Sequence, residues 1–302
     1  MTLQMDLPAS TKDDYPTRKT SEPALLYRKD PTVWGSGDGP FSSDELKGYD
    51  SRGYTQIESF VTDEEVRTYS AELKRLGSDS ELRKDERVIV EPTSDEVRSV
   101  FEVHKISKVF ADLVNDPRLV ERARQILGSD VYVHQSRVNY KPGFGGGSFY
   151  WHSDFETWHA EDGMPRMRAC SFSIALTDNF AHNGALMIMP GSHKTFVSCV
   201  GETPEDNYRS SLKSQHVGTP DKNSLSYLAD QHGIDVLTGS AGGVTVFDSN
   251  CMHGSGGNIT PYPRSNVFIV FNSVENACEK PFSAPAARPG FLASHDTTPV
   301  GR

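Results

Sequence analysis

Apolar residues recur at helical spacing in several stretches of the first 130 positions. Thr62-Asp-Glu-Glu65 has the residues of a helix start with an acidic first turn, and apolar positions follow at intervals of three and four as far as Gly77. A second helical pattern surrounds Pro117 and stops before Gly128. We therefore expect the amino-terminal third to be helical and to serve packing. The apolar positions are Val66, Tyr69, Leu73 and Leu76 in the first pattern and Val109, Leu113, Leu119, Val120, Ala123, Ile126 and Leu127 in the second.

From Val131 onward the apolar period changes to two, and the apolar runs become short and are separated by Gly, Pro, Asn and Asp. A series of short strands with turn signals is typical of a β-sandwich or barrel. The sequence thus predicts a mainly β fold with flanking α-helices. The clearest strands are 131–141, 148–151, 169–176, 185–189, 243–247 and 267–274.

No linker or internal repeat divides the 302 residues into separate units. The first twenty positions are polar. We expect a flexible amino-terminal arm over residues 1–20 and a single domain over 21–302, helical to about residue 130 and with a β core from about residue 131.

Composition limits the possible cellular locations of the protein and the kinds of partner that it could bind. A net charge of −10 disfavours nucleic acid, because phosphate binding needs clustered Lys and Arg. Apolar runs fall short of the roughly 18 residues of a membrane helix, and the polar start lacks the apolar core of a secretory signal. The cysteines, Cys170, Cys199, Cys251 and Cys278, are far apart and show no CxxC pair, which suits reduced thiols. We expect a cytoplasmic protein that binds neither nucleic acid nor membrane.

Two histidines and a carboxylate have the spacing of a metal site. His152 and Asp154 are two residues apart after a strand-like run, so their side chains would share one face of a strand. The spacing is weak on its own, but His253 comes at the end of a strand-like run and Arg264 comes just before another. The alternative explanation of the whole set is a surface His and a loop Arg. Two His and one carboxylate on one face of an octahedron leave three positions open, which is typical of non-haem Fe(II) oxygenases.

The predicted strand 131–141 has an unusually polar face. Gln135, Arg137, Asn139 and Lys141 share one parity, directly before the metal motif. A solvent-facing strand surface would explain this pattern equally simply. The position beside the motif favours a cavity wall that binds anions and amides.

The segment NGALMIMPGSHK, from Asn183 to Lys194, resembles the phytanoyl-CoA dioxygenase family of Fe(II)- and 2-oxoglutarate-dependent enzymes. Within that family, FYWHSDFETWHAEDGMPRMRA over 149–169 resembles the ectoine hydroxylases, and 134–139 and 14–18 agree with it. The resemblance implies a double-stranded β-helix core of the jelly-roll or cupin-like kind. It implies hydroxylation of L-ectoine to the compatible solute 5-hydroxyectoine, with O₂ consumed and succinate and CO₂ released, and also a homodimer.

The resemblance further implies three groups of site residues. Arg264 would pair with the distal carboxylate of 2-oxoglutarate, because its planar fork matches a carboxylate bidentately. Trp158 would offer an aromatic face to the amidinium of ectoine, and Gln135 a hydrogen bond. The implied metal ligands are His152, Asp154 and His253; the 2-oxoglutarate residues are Lys141, Arg264, Ser255, Asn139 and Phe149; the substrate residues are Gln135, Trp158, Thr157, Arg137 and Phe271.

Two alternatives stay open. The same chemistry could act on another small zwitterion, such as a free amino acid. Alternatively, a cupin-like protein could bind metal without catalysis, in which case Arg264 and Lys141 would face no cavity and no succinate would form.

Overall fold

The computed structural model describes residues 13–91, 94–213 and 216–301, and the strands in these ranges form three antiparallel sheets. The strands are β1 (Ala24–Tyr27), β2 (Tyr54–Ile57), β3 (Val88–Val90), β4 (Val97–Phe101), β5 (Val131–Lys141), β6 (Phe149–His152), β7 (Ala169–Ala175), β8 (Leu186–Ile188), β9 (Thr195–Ser198), β10 (Asp235–Leu237), β11 (Val244–Asp248), β12 (His253–Ser255) and β13 (Arg264–Ser273). The largest sheet has the order β2-β11-β7-β13-β5-β4-β3, a second has the order β10-β8-β12-β6, and β1 pairs with β9.

The helices begin and end where local signals in the sequence place them. The side chain of Thr62 accepts a hydrogen bond from the backbone N–H of Glu65, and the backbone N–H of Thr62 donates one to the Glu65 carboxylate, which closes a capping box at the start of α2. Pro117 begins α5, and Gly128 ends it in the left-handed conformation at φ 64°. The helices are α1 (Ser43–Arg52), α2 (Asp63–Ser78), α3 (Val103–Ile106), α4 (Lys108–Leu113), α5 (Pro117–Leu127), α6 (Asp154–Thr157), α7 (Tyr208–Ser211) and α8 (Lys222–His232), and a π-helical turn over Trp158–Asp162 continues α6.

The seven-stranded sheet is covered on both faces. Helices α2, α4 and α5 pack on one face, where Leu73, Phe110 and Ile126 join strand residues in the main hydrophobic core. On the other face, Phe247 and Phe268 of the large sheet pack against Ile188 and Leu237 of the four-stranded sheet. The result is a layer of helices and two facing sheets, as expected for a mainly β protein with a jelly-roll core and flanking helices.

The predicted elements are confirmed, but the helical assignment of the amino-terminal third was incomplete. The predicted helices correspond to α2, α4 and α5, and the predicted strands to β5, β6, β7, β8, β11 and β13. Three strands that the pattern did not predict, β2, β3 and β4, extend the large sheet at its two edges. They have three to five residues each, which is too short for a period to stand out from the surrounding helical patterns.

Part of the expected flexible arm is packed against the core. Tyr15, Thr17 and Arg18 are each less than 5% exposed, because Arg18 forms ion pairs with Glu156 and Glu161. The structure therefore differs from the expectation over residues 13–18, while residues 1–12 lie outside the described residues. Among the helices described, none combines the length and the apolar character needed to cross a membrane.

Candidate functional site

Two neighbouring strands of the small sheet bring the two histidines together. His152 ends β6 and pairs in register with His253, which begins β12, and their ring centroids are 4.3 Å apart. Asp154 is the first residue of α6, so the expectation that it shares a strand face with His152 was wrong. The chain turns after His152 and returns the carboxylate to the same place. Nε2 of His152 lies 3.6 Å from Oδ1 of Asp154, and Nε2 of His253 lies 4.0 Å from Oδ2.

Backbone carbonyls orient both imidazoles. Nδ1 of His152 donates to the carbonyl of Tyr150 at 2.6 Å, and Nδ1 of His253 donates to the carbonyl of Cys251 at 3.0 Å. Because a carbonyl can only accept, Nδ1 carries the proton in each ring and Nε2 keeps its lone pair. Both free nitrogens therefore face the carboxylate of Asp154.

The charges of this group fit a divalent metal. Burial raises the pKa of the Asp154 carboxyl, but His253 and His152 outweigh burial and hold that pKa below its ordinary value. Burial, reinforced by His152, lowers the pKa of His253 to about 4. Neutral imidazole and ionised carboxylate are the forms that bind metal. Oδ2 of Asp154 is buried without a hydrogen-bond partner in the described structure, and the three candidate ligand atoms lie within 4.8 Å of one another.

The candidate metal centre opens into a cavity of about 830 Å³. The polar face of β5 forms part of its wall, as expected, and α6 with the following turn forms another part. The structure thus brings together at one cavity most of the residues singled out in the sequence. Those lining it are Gln135, Arg137, Asn139, Phe149, His152, Asp154, Thr157 and Trp158.

Beside the cavity lies a pair of buried cations. Lys141 and Arg264 face each other in register on β5 and β13. Nζ of Lys141 donates to Oγ of Ser255 at 2.9 Å and to the carbonyl of Gly256 at 2.5 Å, and neither cation forms an ion pair with any described residue. Neither residue lines the cavity itself, but the ring centre of Phe149, which does, lies 5.3 Å from Nζ of Lys141.

The surroundings of these two basic groups suit the binding of an anion. Burial, together with Arg264 and Arg98, lowers the pKa of Lys141 to about 6, and burial lowers the pKa of Arg264 to about 10. The buried guanidinium of Arg264 has no carboxylate partner, so an anion that binds beside it, and that restores the charge of Lys141, would stabilise both groups. Nearby, Oδ1 of Asn139 already accepts from Oγ of Ser99 at 2.8 Å.

On the opposite side of the cavity, Trp158 is buried with its ring 5.1 Å from that of His134. Gln135 donates to the carbonyl of Leu292 at 2.6 Å and accepts from Arg137. The guanidinium of Arg137 lies 4.7 Å from the ring centre of Phe268 and forms no ion pair within the described ranges. This side therefore combines an aromatic face, an oriented amide and an uncompensated cation.

Phe271 is placed away from these groups. It is fully buried in the main hydrophobic core, where its ring meets that of Phe172 at 5.5 Å, and it does not line the cavity. The register shift with β5 between Val270 and Phe271 leaves the alternation along β13 intact, because its pairing with β7 is continuous from Asn266 to Asn272. Phe271 therefore shares the core face with Val267 and Ile269, opposite to Phe268.

The same shift explains a residue that the sequence did not reveal. Val270 pairs with Gln135 while Phe271 pairs with Val133, so His134 is the extra residue of a β-bulge. A bulge turns a side chain to the other face, and His134 accordingly meets Trp158 instead of the helical layer. The residue types in β5 do not indicate a bulge, so it could not be predicted from the sequence.

Arg288 is a second residue that sequence analysis missed. It lines the cavity, and its Nε and Nη2 donate to the two carboxylate oxygens of Asp162 at 2.7 and 2.5 Å. It lies in an irregular Pro- and Ala-rich segment after the last strand. Such a segment has no period from which a facing direction could be predicted.

Two facing sheets with a two-histidine, one-carboxylate group between them define a class of protein, the jelly-roll proteins with the ligand set of non-haem iron oxygenases. Within that class, the chain belongs to the phytanoyl-CoA dioxygenase family, whose model matches residues 49–266.

Relatives and solved structures resemble the chain over nearly its whole length. The ectoine dioxygenase of Streptomyces coelicolor is 62% identical over 290 residues, which cover 95% of this chain and 97% of that protein. A crystal structure of EctD from Sphingopyxis alaskensis with 2-oxoglutarate and 5-hydroxyectoine has a TM-score of 0.86 and 45% identity, covering 96% of this chain and 97% of that one. A crystal structure of the same protein with bound Fe also has a TM-score of 0.86, at 44% identity, covering 96% and 98%.

The low pKa of Lys141 leads to a testable pH dependence. At about pH 7.5 its amine is neutral in the free site, and a bound dicarboxylate would favour the ammonium form. We expect 2-oxoglutarate binding to take up close to one proton, and its affinity to fall as the pH rises above about 6. Calorimetry of the anaerobic, iron-loaded protein in buffers of different ionisation enthalpy measures this uptake. It should vanish in Lys141→Met, and a wild-type protein that takes up no proton would contradict the assignment.

Proposed function

We propose that the chain is an Fe(II)- and 2-oxoglutarate-dependent dioxygenase that hydroxylates L-ectoine to 5-hydroxyectoine, consuming O₂ and releasing succinate and CO₂. The observation that carries the proposal is the grouping around one cavity of the His152, Asp154 and His253 triad, the buried cations beside it and the aromatic face of Trp158. The identity to ectoine dioxygenases, 62% over 290 residues in one case, supports the substrate.

The triad would hold the iron through Nε2 of each histidine and a carboxylate oxygen of Asp154. Iron bound in this way supplies open coordination positions for a chelating co-substrate and for O₂. In the neutral form of each ring, the carbonyls of Tyr150 and Cys251 keep the proton on Nδ1 and leave the lone pair of Nε2 available to the metal.

Arg264 would bind the distal carboxylate of 2-oxoglutarate, with Ser255 and Lys141 completing the site. Nζ of Lys141 already donates to Oγ of Ser255, so that hydroxyl is free to donate its own proton to the ligand. Phe149 would pack against the carbon chain, and Asn139 would contribute from the cavity wall. The buried cations thus receive the negative charge that the protein does not supply.

Ectoine is a cyclic amidinium carboxylate, and the other side of the cavity offers a partner for each part. The face of Trp158 suits the delocalised cation. Arg137 lines the cavity and would attract the carboxylate, while Gln135 and Thr157 would fix the ring. Trp158, Gln135 and Arg288 are buried, so the protein's contribution would be to position the substrate and to remove part of its water.

The resemblance supports the homodimer and the substrate, whereas the cytoplasm and the absence of nucleic-acid and membrane partners rest on composition. We propose a homodimer in the cytoplasm, with ectoine as small-molecule partner and neither nucleic acid nor membrane. We also propose a single domain, since β2 near the start of the chain pairs with β11 near its end. Gel filtration with light scattering would measure the oligomeric state.

Anaerobic reconstitution with Fe(II), followed by addition of O₂, 2-oxoglutarate and ectoine, tests the proposal directly. Succinate and 5-hydroxyectoine should appear in equal amounts. Succinate without 5-hydroxyectoine would contradict the substrate and favour another small zwitterion. Neither product, from a protein with full iron, would favour the metal-binding protein without catalysis.

Replacing Trp158 by Ala should impair the use of ectoine far more than the binding of iron. A cation–π contact in a desolvated site contributes about 2 kcal/mol, so we expect KM for ectoine to rise on the order of 30-fold. Trp158→Phe keeps an aromatic face and should lose much less. Equal loss of iron and of ectoine use in Trp158→Ala would indicate a structural role for this ring.

A further inference from the structure

The segment that follows the metal motif is covered by the amino-terminal end of the described chain. Tyr15 is fully buried, and its ring lies 5.4 Å from Phe155 and 6.3 Å from His159. Nε2 of His159 lies 3.1 Å from Oδ1 of Asp13. Residues 13–18 therefore lie directly over 154–162, the segment that carries both Asp154 and Trp158.

Arg18 joins the two segments by a buried double ion pair. Its Nε and Nη2 donate to the two carboxylate oxygens of Glu156, at 2.9 and 2.7 Å, and its Nη1 donates to Glu161 at 2.6 Å. Thr17 adds a hydrogen bond to Glu156 at 2.8 Å. The side chain of Arg18 has no exposed surface. The guanidinium of Arg18 thus connects Glu156 and Glu161, which lie before and after Trp158 in the same helical segment.

The two functional ends of this segment are anchored differently. The Asp154 end is fixed to the loop before β12, because Phe155 donates from its backbone to Ser249 at 2.8 Å and Ser153 donates to Asn250 at 2.9 Å. The backbone carbonyl of Trp158 accepts from Met164, within the same stretch of chain. The carbonyls of His159 and Ala160 accept from Phe282 and Ser283, so Arg18 shares the support of the Trp158 end with that segment, whereas the Asp154 end has anchors of its own.

The ion pair also supports a third part of the cavity. A Cβ atom on Gly218 would lie 2.1 Å from Nη2 of Arg18 and 2.5 Å from Oε2 of Glu156. Residues on either side of Gly218, such as Val217 and Thr219, line the cavity. The backbone of this loop thus rests on the same guanidinium as the Trp158 turn.

We propose that Arg18 is a positioning residue for substrate: held between Glu156 and Glu161, it fixes the turn that carries Trp158 and the facing loop around Gly218. The inference rests on the proposed function, since it assigns the affected side of the cavity to ectoine. It does not require Arg18 to touch substrate, iron or 2-oxoglutarate.

Arg18→Lys is the main test, because it keeps a positive charge between the carboxylates but cannot hold both in the planar fork. We expect KM for ectoine to rise on the order of 10- to 100-fold, as a misplaced binding group requires, and succinate to exceed 5-hydroxyectoine. Iron content and KM for 2-oxoglutarate should stay within about twofold of wild type, as for independent sites. Arg118→Lys is the matched control, since Arg118 also pairs with two carboxylates, Glu65 and Asp116, far from the cavity.

A readout in the ligand-free protein separates this inference from the proposed function. Of the three Trp residues, Trp158 can be observed alone once Trp34 and Trp151 are replaced by Phe. In that background Arg18→Lys should increase acrylamide quenching of Trp158, whatever the substrate is. If wild type forms succinate but no 5-hydroxyectoine while quenching still rises, the proposed substrate fails and the positioning role stands.

Two outcomes would overturn the positioning role. One is unchanged quenching and an unchanged KM for ectoine in Arg18→Lys. The other is a parallel loss of iron, 2-oxoglutarate and ectoine binding, which would mean that Arg18 supports only the fold. Should Arg18→Lys fold poorly, Glu161→Gln gives a second test, because it keeps the shape and the Arg18–Glu156 pair. It must then raise KM for ectoine with normal iron content, and an unchanged KM would count against the proposal.

Discussion

Asp154→Ala should abolish coupled turnover and lower the affinity for Fe(II) by more than about 100-fold, beyond the loss typical of residues that only orient a ligand. The reason is that the two imidazoles alone offer no charge to the metal. Metal content after dialysis and 5-hydroxyectoine formation measure the effect.

The ligand-free protein should not suffer from the same change. Oδ2 of Asp154 has no hydrogen-bond partner among the described residues, so Ala removes a buried charge and leaves no donor unpaired. We expect the thermal midpoint without metal to be unchanged or raised, and its increase on adding Fe(II) to disappear. Asp235→Ala, at a partly exposed carboxylate paired with Arg52, is the control and should alter neither quantity. Full iron content with normal hydroxylation in Asp154→Ala would refute the metal assignment.

A common feature of the site is charge that the protein leaves uncompensated. The Asp154 carboxylate oxygen and the Arg264 guanidinium are buried, and the Arg137 guanidinium is half-buried, without an ion partner of opposite charge in hydrogen-bond contact within the described ranges. By contrast, buried Arg18 and Arg288 are fully paired with carboxylates. Unpaired buried charges lower stability, and they persist where ligands complete them. The presence or absence of an ion partner therefore distinguishes charged groups that position other residues from charged groups that would bind a ligand.

Much of the fold could be predicted because period and caps are local signals. The capping box at Thr62 and the Pro117 to Gly128 helix lie within single elements, and β5 is long enough for its alternation to be visible. The short strands β2, β3 and β4 obtain their structure from partners distant in sequence. Their own residues therefore do not determine it, and the sequence alone could not reveal it.

The site shows the same division. His152, Asp154 and His253 could be found because metal ligands need particular residue types, and the order of strands places them together. His134, Arg288 and Arg18 could not, because each depends on a geometry with no local signal: a bulge, an irregular carboxyl-terminal segment and a contact across 138 residues. Phe271 was assigned from the resemblance, and the alternation along β13 places it in the core with Val267 and Ile269, away from the cavity.

Arg264→Met should weaken the binding of 2-oxoglutarate while leaving the stability of the ligand-free protein equal or higher. Losing one partner of a buried, hydrogen-bonded charge pair costs about 2 to 5 kcal/mol, so binding of 2-oxoglutarate should weaken roughly 30- to 5,000-fold. The ligand-free protein, however, contains Arg264 as a buried cation with no ion partner in the described structure and an unpaired Nε. An apolar side chain of similar length removes that penalty, so the midpoint of thermal unfolding without ligand should be equal or higher.

Arg98→Met is the matched comparison, because Arg98 is also buried but is paired with Glu91 at 3.0 Å. Removing it leaves a buried carboxylate without its partner and should lower stability by about 3 to 5 kcal/mol. Arg264→Lys keeps the charge without the fork and should bind 2-oxoglutarate at an intermediate level. Calorimetric titration of the anaerobic protein and thermal unfolding measure both quantities. If Arg264→Met instead destabilises the ligand-free protein as much as Arg98→Met while binding 2-oxoglutarate normally, Arg264 is a structural residue and the anion site lies elsewhere.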